Sequence, residues 1–106
     1  MNFKTSKYFE RDTKKLSKKY PSIISDIRNL KEQLSENPFL GIDLGENTYK
    51  IKMAITSKGK GKSGGARVIT CVKIVDDIIH LLTIYDKSEI DNISDAYLEE
   101  LRKLAE

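Results

Sequence analysis

Residues 49–55 read Tyr49-Lys50-Ile51-Lys52-Met53-Ala54-Ile55, and they decide the fold because the spacing of apolar residues changes here. Along this stretch apolar side chains alternate with Lys50 and Lys52. An alternation of period two predicts a half-buried β-strand, and its second face is basic. Before this stretch the apolar residues follow a helical spacing, so the chain changes from helices to strands at this point.

Two amphipathic helices are predicted before the strand. A first apolar stripe consists of Phe9, Thr13, Leu16 and Tyr20, and a second of Ile23, Ile24, Ile27, Leu30 and Leu34. Both stripes have the three- and four-residue spacing of a helix with one buried face. Pro21 suits the first turn of the second helix, which should end before Asn37-Pro38. A connection this short predicts an antiparallel helical hairpin.

After the strand, the sequence predicts a loop and a β-hairpin. Residues 57–65 contain four glycines, three lysines and two serines, which is typical of a loop. Residues 66–75 and 78–85 are rich in β-branched side chains, and Asp76-Asp77 between them suits a two-residue turn. That turn predicts that Lys73 faces His80 and that Arg67 faces Asp86.

The end of the chain predicts a last helix, and the order of elements predicts the fold class. Ser94 suits an N-cap and Asp95 the first helical turn. The apolar face of this helix consists of Tyr97, Leu98, Leu101, Leu104 and Ala105. Residues 37–47 are interpreted as a loop, and a short strand near Phe3 is left open. We therefore expect a single α+β domain over residues 1–106, in which an N-terminal helical hairpin and a C-terminal helix pack on a small twisted antiparallel sheet of three to four strands.

Composition excludes several classes of protein. The chain has 106 residues, of which 39% are hydrophobic and 33% charged, as expected of a soluble globular domain. Cys71 and His80 are the only residues of their types, so neither an internal disulfide nor a zinc site of Cys and His alone can form. No apolar run is long enough to span a bilayer, and the N-terminus lacks the apolar region of a signal peptide. We expect a cytoplasmic protein with no membrane partner, metal or cofactor.

Positive charge is concentrated in the middle of the chain. The net charge of +3 is the sum of +2 for residues 1–46, +7 for residues 47–75 and −6 for residues 76–106. Residues 47–75 contain no acidic side chain at all. A block of one sign is typical of a site for a polyanion.

Residues 57–65, here called the glycine-lysine loop, match two nucleotide-binding patterns in residue types and spacing but not in structural context. Gly59, Gly61 and Gly64 have the spacing of a dinucleotide fingerprint, and Gly61-Lys62-Ser63 resembles the end of a phosphate-binding P-loop. Both motifs must lead into a helix, whereas this loop leads into a predicted strand. The loop instead offers free backbone N–H groups and mobile ammonium groups near Arg67, which suit phosphate oxygens. A solvated loop whose lysines serve only solubility is the alternative.

Four stretches of the chain together resemble the RelE/HigB-like toxins of bacterial type II toxin–antitoxin systems, within the RelE/ParE superfamily. These stretches are residues 16–34; Asn37-Pro38 to Gly45; residues 49–55; and residues 58–69 together with residues 81–89. The resemblance implies a ribosome-dependent mRNA endoribonuclease, or mRNA interferase, that inhibits translation and needs no metal. It also implies a cognate antitoxin protein, and a toxin–antitoxin oligomer that binds its own operator DNA through the antitoxin.

The resemblance carries roles to individual residues. Arg67 matches the family's phosphate-binding arginine, and Lys87 matches a second basic catalytic residue. Lys58 and Lys62 match loop residues that engage RNA or act in acid–base steps. Tyr85 is a further catalytic candidate that could stack on a base or position the nucleophile. The candidates for RNA binding are Lys50, Lys52, Lys60 and Lys73.

Two other hypotheses compete with the nuclease hypothesis, and the identity of the general base stays open. Some family members place a histidine or tyrosine near the start of the last helix, where this chain reads Asp91-Asn92-Ile93-Ser94. A ParE-like toxin would share the fold but inhibit DNA gyrase. A non-catalytic nucleic-acid-binding module would show salt-dependent binding without cleavage.

Overall fold

A computed structural model describes residues 1–106 as three helices and a five-stranded sheet. In chain order the elements are β1 (Asn2–Thr5), α1 (Lys7–Lys19), α2 (Ile23–Glu36), β2 (Ile42–Gly45), β3 (Thr48–Met53), a 3₁₀ turn (Thr56–Lys58), β4 (Ala66–Lys73), β5 (Ile78–Asp86) and α3 (Asp95–Lys103). The strand order across the sheet is β1-β5-β4-β3-β2. The predicted α+β class is confirmed. None of the helices is long and apolar enough to cross a membrane.

The helix ends follow local rules that the sequence shows. The Ser6 hydroxyl accepts a hydrogen bond from the backbone N–H of Phe9 at 3.1 Å and caps α1. Ser94 caps α3 in the same way through Tyr97, as predicted. Helix α2 ends at Glu36, directly before Asn37-Pro38. Pro21 lies in the turn before α2 rather than in its first turn, because the helix begins at Ile23.

The sheet is covered on both faces. One face packs against α1 and α2, with Phe9, Leu16, Ile27 and Leu34 among the buried residues. The other face packs against Leu101 of α3 and against Ala105, which follows the helix. Because β4 lies in the middle, its side chains are buried on both faces, which explains its nearly continuous run of β-branched residues. We call these the two-helix face and the α3 face.

The sheet differs from the prediction at both of its edges. The chain begins with a strand, β1, which pairs in parallel with β5, so the sheet is mixed rather than antiparallel. Strand β2 lies within residues 37–47, which were interpreted as a loop. The sheet therefore has five strands rather than three to four. Four-residue edge strands are too short to show a convincing period, and β1 pairs with residues more than seventy positions away.

The predicted register of the β4–β5 hairpin is wrong. The turn has four residues, since Ile74 and Val75 are 64% and 98% exposed and lie outside the strands. Lys73 therefore pairs with Ile78, and His80 pairs with Cys71, which is buried as expected.

A β-bulge changes the register again further along the hairpin. Leu82 is an extra residue of β5 opposite the Ile69–Thr70 step of β4. Beyond it Arg67 pairs with Tyr85, and Asp86 pairs with Ala66 instead of Arg67. Because a shift of one residue reverses the faces, Asp86 lies on the face opposite to Arg67.

Candidate functional site

A basic and aromatic row crosses three neighbouring strands. Lys52 of β3 is the register partner of Arg67 in β4, and Arg67 is the partner of Tyr85 in β5. Directly paired residues project to the same face, so the three side chains stand side by side on the α3 face. Tyr85 belongs to the apolar cluster beneath α3, whereas Lys52 is exposed. The row thus runs from a buried phenol to an exposed amine.

Arg67 is a buried cation with neutral partners. Its side chain and backbone are 5% exposed in total. Nη1 donates hydrogen bonds to the carbonyl oxygens of Lys62 at 3.1 Å and Ala66 at 3.2 Å, and Nη2 donates to that of Ser63 at 3.2 Å. The carbonyls of Lys62 and Ser63 belong to the glycine-lysine loop, and that of Ala66 to the first residue of β4. The loop therefore holds the guanidinium without neutralising its charge.

Tyr85 carries a buried hydroxyl group that makes no hydrogen bond to the protein. Burial raises the pKa of this phenol, while the positive charge of Arg67 lowers it in part. The hydroxyl is consequently protonated at neutral pH and can donate to an incoming oxygen. The phenol thus has a free donor next to a buried cation, and this is the one unpaired buried polar group in the row.

Lys87 joins the end of β5 to the glycine-lysine loop. Its backbone N–H donates to the carbonyl oxygen of Gly65 at 3.0 Å. Its Nζ donates to the backbone carbonyl of Asp91 at 3.1 Å and forms an ion pair with the Asp91 carboxylate. Lys87 therefore follows the row at the end of β5, and it has an acidic partner.

Lys58 lies in a different cluster, on the two-helix face. Its Nζ is 2.7 Å from Oδ1 of Asp86, whose side chain is fully buried. The hydroxyls of Tyr20 and Ser88 also donate to this carboxylate, at 2.7 Å and 2.8 Å. Burial raises the pKa of Asp86, but the hydrogen bonds from Lys58, Tyr20 and Ser88 outweigh it and hold the pKa well below its usual range. The structure does not bring Lys58 to Arg67.

The other predicted cations divide between two ends of the sheet. Lys60 and Lys62 are exposed in the loop, and Lys62 lines a small cleft of about 130 Å³ together with Lys52. Lys50 lies one step along β3 from Lys52 on the same face, with its Nζ 3.4 Å from Oδ1 of Asn92. Lys73 lies at the far end of β4, about 20 Å from Arg67 at the usual rise per residue. It is separate from the row.

The sequence did not show the Asp86 cluster or the contacts of Asp91 and Asn92. The predicted register places Asp86 opposite Arg67, and Tyr20 belongs to the predicted apolar stripe of the first helix. The only signal for the cluster was that Asp86 is a single acid at the end of an apolar strand, where burial would demand a partner.

One family model matches nearly the whole chain. The model is described as the RelE toxin of the RelE / RelB toxin–antitoxin system, and it matches residues 2–106. The match includes every strand and helix described above. It agrees with the resemblance seen in the sequence.

Proposed function

The chain belongs to the RelE toxin family, and from this premise we propose that it is a ribosome-dependent endoribonuclease that cleaves mRNA and inhibits translation. Family membership also implies a RelB-type antitoxin as its partner. The observation that carries the proposal is the cross-strand row of Lys52, Arg67 and Tyr85, with Lys87 beside it. Cleavage of RNA at a phosphate requires these kinds of group close together.

The reaction we propose uses the ribose 2′-OH as its own nucleophile. The 2′-oxygen attacks the adjacent phosphorus, the 2′-proton passes to a base, and the bond from phosphorus to the 5′-oxygen breaks. The leaving 5′-oxygen receives a proton, so the products are a 2′,3′-cyclic phosphate and a 5′-hydroxyl. The enzyme must supply a base, an acid and positive charge for the phosphorane.

The geometry favours one distribution of these roles. Arg67 stabilises the negative charge that develops on the phosphate oxygens, and Tyr85 donates a hydrogen bond to them. Lys52 is the exposed ammonium next to Arg67, so we assign to it a second positive charge for the phosphorane. Lys87, on the other side of the row, protonates the leaving oxygen.

Three further lysines have roles outside the chemistry. Lys58 is a positioning residue, because its ammonium is engaged by Asp86. Lys60 and Lys62 bind RNA phosphates from the loop. The antitoxin covers this basic face in the inactive complex, and that complex binds operator DNA through the antitoxin.

Replacement of Arg67 tests the proposal. With wild type expressed in a bacterium, 5′-end mapping of transcripts should show cuts phased with codons in translated regions. Arg67→Ala should reduce cleavage about 100-fold or more, because one donor to a developing oxyanion contributes about that factor. Lys73→Ala is the matched control, since it removes the same charge from the far end of the same strand and should leave cleavage nearly unchanged.

Other outcomes would point elsewhere. Equal cleavage by wild type and by folded Arg67→Ala would contradict the role of Arg67. Growth arrest with intact transcripts and trapped gyrase–DNA complexes would indicate the ParE-like activity. Salt-dependent RNA binding without cleavage, with or without ribosomes, would leave a non-catalytic binding module.

A further inference from the structure

We propose that Asp91 and Asn92 form an internal substitute for an RNA phosphate, which occupies Lys87 and Lys50 until RNA displaces it. This inference rests on the proposed function, because it assigns a regulation to the same basic face. The segment of residues 87–94 leaves the end of β5 and leads into α3. Its acidic and amide oxygens meet the lysines on either side of the row.

The contacts of the two lysines carry the inference. The Lys87 ammonium donates to both the carboxylate and the backbone carbonyl of Asp91, so two of its three donors are in use. The Lys50 ammonium is 3.4 Å from Oδ1 of Asn92. The hydrogen bond from Lys87, with the charge of Lys50, lowers the pKa of Asp91 and keeps the carboxylate negative. Two lysines thus hold oxygens of consecutive residues.

The segment is fixed at both ends and free in the middle. At its start the backbone N–H groups of Glu89 and Ile90 both donate to the carbonyl oxygen of Asp86 at 3.0 Å. At its end Ile93 packs against the apolar cluster of the α3 face, and Ser94 caps the helix. Between these anchors the Asp91 side chain is 90% exposed. The carboxylate can therefore leave Lys87 without unfolding either anchor.

Arg67 gives the contrast that identifies the role of Asp91. All hydrogen-bond partners of Arg67 are neutral carbonyl oxygens, so no anion of the protein neutralises its charge. Lys87 is instead paired with a carboxylate that an RNA phosphate must replace. An exposed pair of this kind changes an equilibrium only about 1.5- to 5-fold, so it reduces RNA binding without preventing it.

The test measures RNA binding, apart from cleavage. The probe is a labelled single-stranded 2′-O-methyl RNA of twelve nucleotides, which cannot be cut, and the readout is fluorescence anisotropy with the purified chain. Asp91→Asn should tighten the Kd about 1.5- to 5-fold. Asp95→Asn removes the same charge four residues away, in the first turn of α3, and should tighten it clearly less.

A double-mutant cycle separates local pairing from general charge. In a Lys87→Gln background, Asp91→Asn should gain no more than Asp95→Asn does, because the lysine it releases is absent. An equal gain from Asp91→Asn and Asp95→Asn in the wild type, or the full gain from Asp91→Asn in Lys87→Gln, would overturn the substitute role. The proposed nuclease activity fails separately: intact transcripts with wild type, together with the expected cycle, would leave the substitute role standing on a non-catalytic RNA-binding surface.

Discussion

At the scale of single residues, the buried carboxylate of Asp86 organises the surroundings of the site. It accepts hydrogen bonds from Lys58 at the base of the loop, from Tyr20 at the end of α1 and from Ser88 after β5. Tyr85 and Lys87 are its direct neighbours in the chain. One carboxylate thus joins three segments that border the row, although it lies on the opposite face of the sheet.

Asp86→Asn should destabilise the fold by about 3–5 kcal/mol at pH 7, because it leaves the Lys58 ammonium in a mostly buried place without its anion. Urea unfolding of wild type and variant measures the difference. Asp91→Asn is the matched control, since it breaks an exposed pair and should change the free energy of unfolding by less than about 1 kcal/mol. If both substitutions changed the free energy of unfolding equally, the burial of Asp86 would contribute nothing to the stability of its ion pair.

The same pair predicts the pH dependence of stability. The pKa of Asp86 is lower in the folded chain than in the unfolded one, so its contribution is fully present above the unfolded value of about 3.9. It is lost as the pH falls below that value toward the folded pKa. The difference in the free energy of unfolding between wild type and Asp86→Asn should therefore be constant from pH 5 to 7 and become smaller below about pH 4. A gap that widens on acidification would contradict this assignment.

At the scale of the elements, local signals were sufficient for the helices and insufficient for the sheet. Ser94 and the Asn37-Pro38 stop are read from neighbouring residues, and the structure confirms both. The hairpin register depended instead on whether Ile74 and Val75 are buried, and both are apolar residues in an exposed turn. The bulge at Leu82 has no sequence signature, yet it decides that Tyr85 rather than Ile84 pairs with Arg67.

The candidate site was predictable in composition but not in arrangement. Arg67, Tyr85 and Lys87 were identified from the basic block and the family pattern. Their grouping with Lys52 depends on the β3–β4 register, and the separation of Lys58 follows from the place of its partner Asp86 on the opposite face of the sheet. Residues on adjacent strands change partners with each inserted residue, so spacing alone cannot assign a shared face.

Gly65 is the point where the loop and β4 meet, and it tolerates no side chain. A Cβ there would lie 2.3 Å from the carbonyl oxygen of Met53 and 2.9 Å from the backbone nitrogen of Ile55. Gly65→Ala should therefore push β4 away from β3 and cost about 3 kcal/mol. Its carbonyl oxygen also holds the backbone of Lys87, so cleavage should fall with stability.

Gly59→Ala is the control for that substitution. Nothing lies within 4 Å of its Cβ position, so only its positive φ of 73° opposes alanine. We expect a cost of about 1 kcal/mol, the usual penalty of the left-handed conformation. Thermal and urea unfolding of both variants give the comparison. A larger loss for Gly59→Ala would show that loop conformation, and not the close approach of strands, limits stability.

At the scale of the whole molecule, folding distributes the basic block unevenly. Lys58 is paired on the two-helix face, and Lys73 lies at the far end of β4. Lys50 and Lys52 lie on the same face as Arg67, Lys60 and Lys62 lie in the loop that holds it, and Lys87 joins them from the otherwise acidic third of the chain. The surface that meets RNA is therefore defined by topology, and the net charge of +3 says little about it.

This distribution predicts which lysines contribute to the salt dependence of RNA binding. Each phosphate contact on a single strand contributes a slope of about −0.7 to the plot of log K against log salt concentration. Lys52→Gln and Lys62→Gln should each flatten the slope by about 0.7, measured by anisotropy with uncleavable RNA. Lys73→Gln carries the same change in net charge and should leave the slope unaltered. Its ammonium lies at the far end of β4, away from the proposed path of the RNA past Arg67. If all three variants flatten the slope equally, RNA senses the total charge of the chain, and the basic face has no defined path for a phosphate backbone.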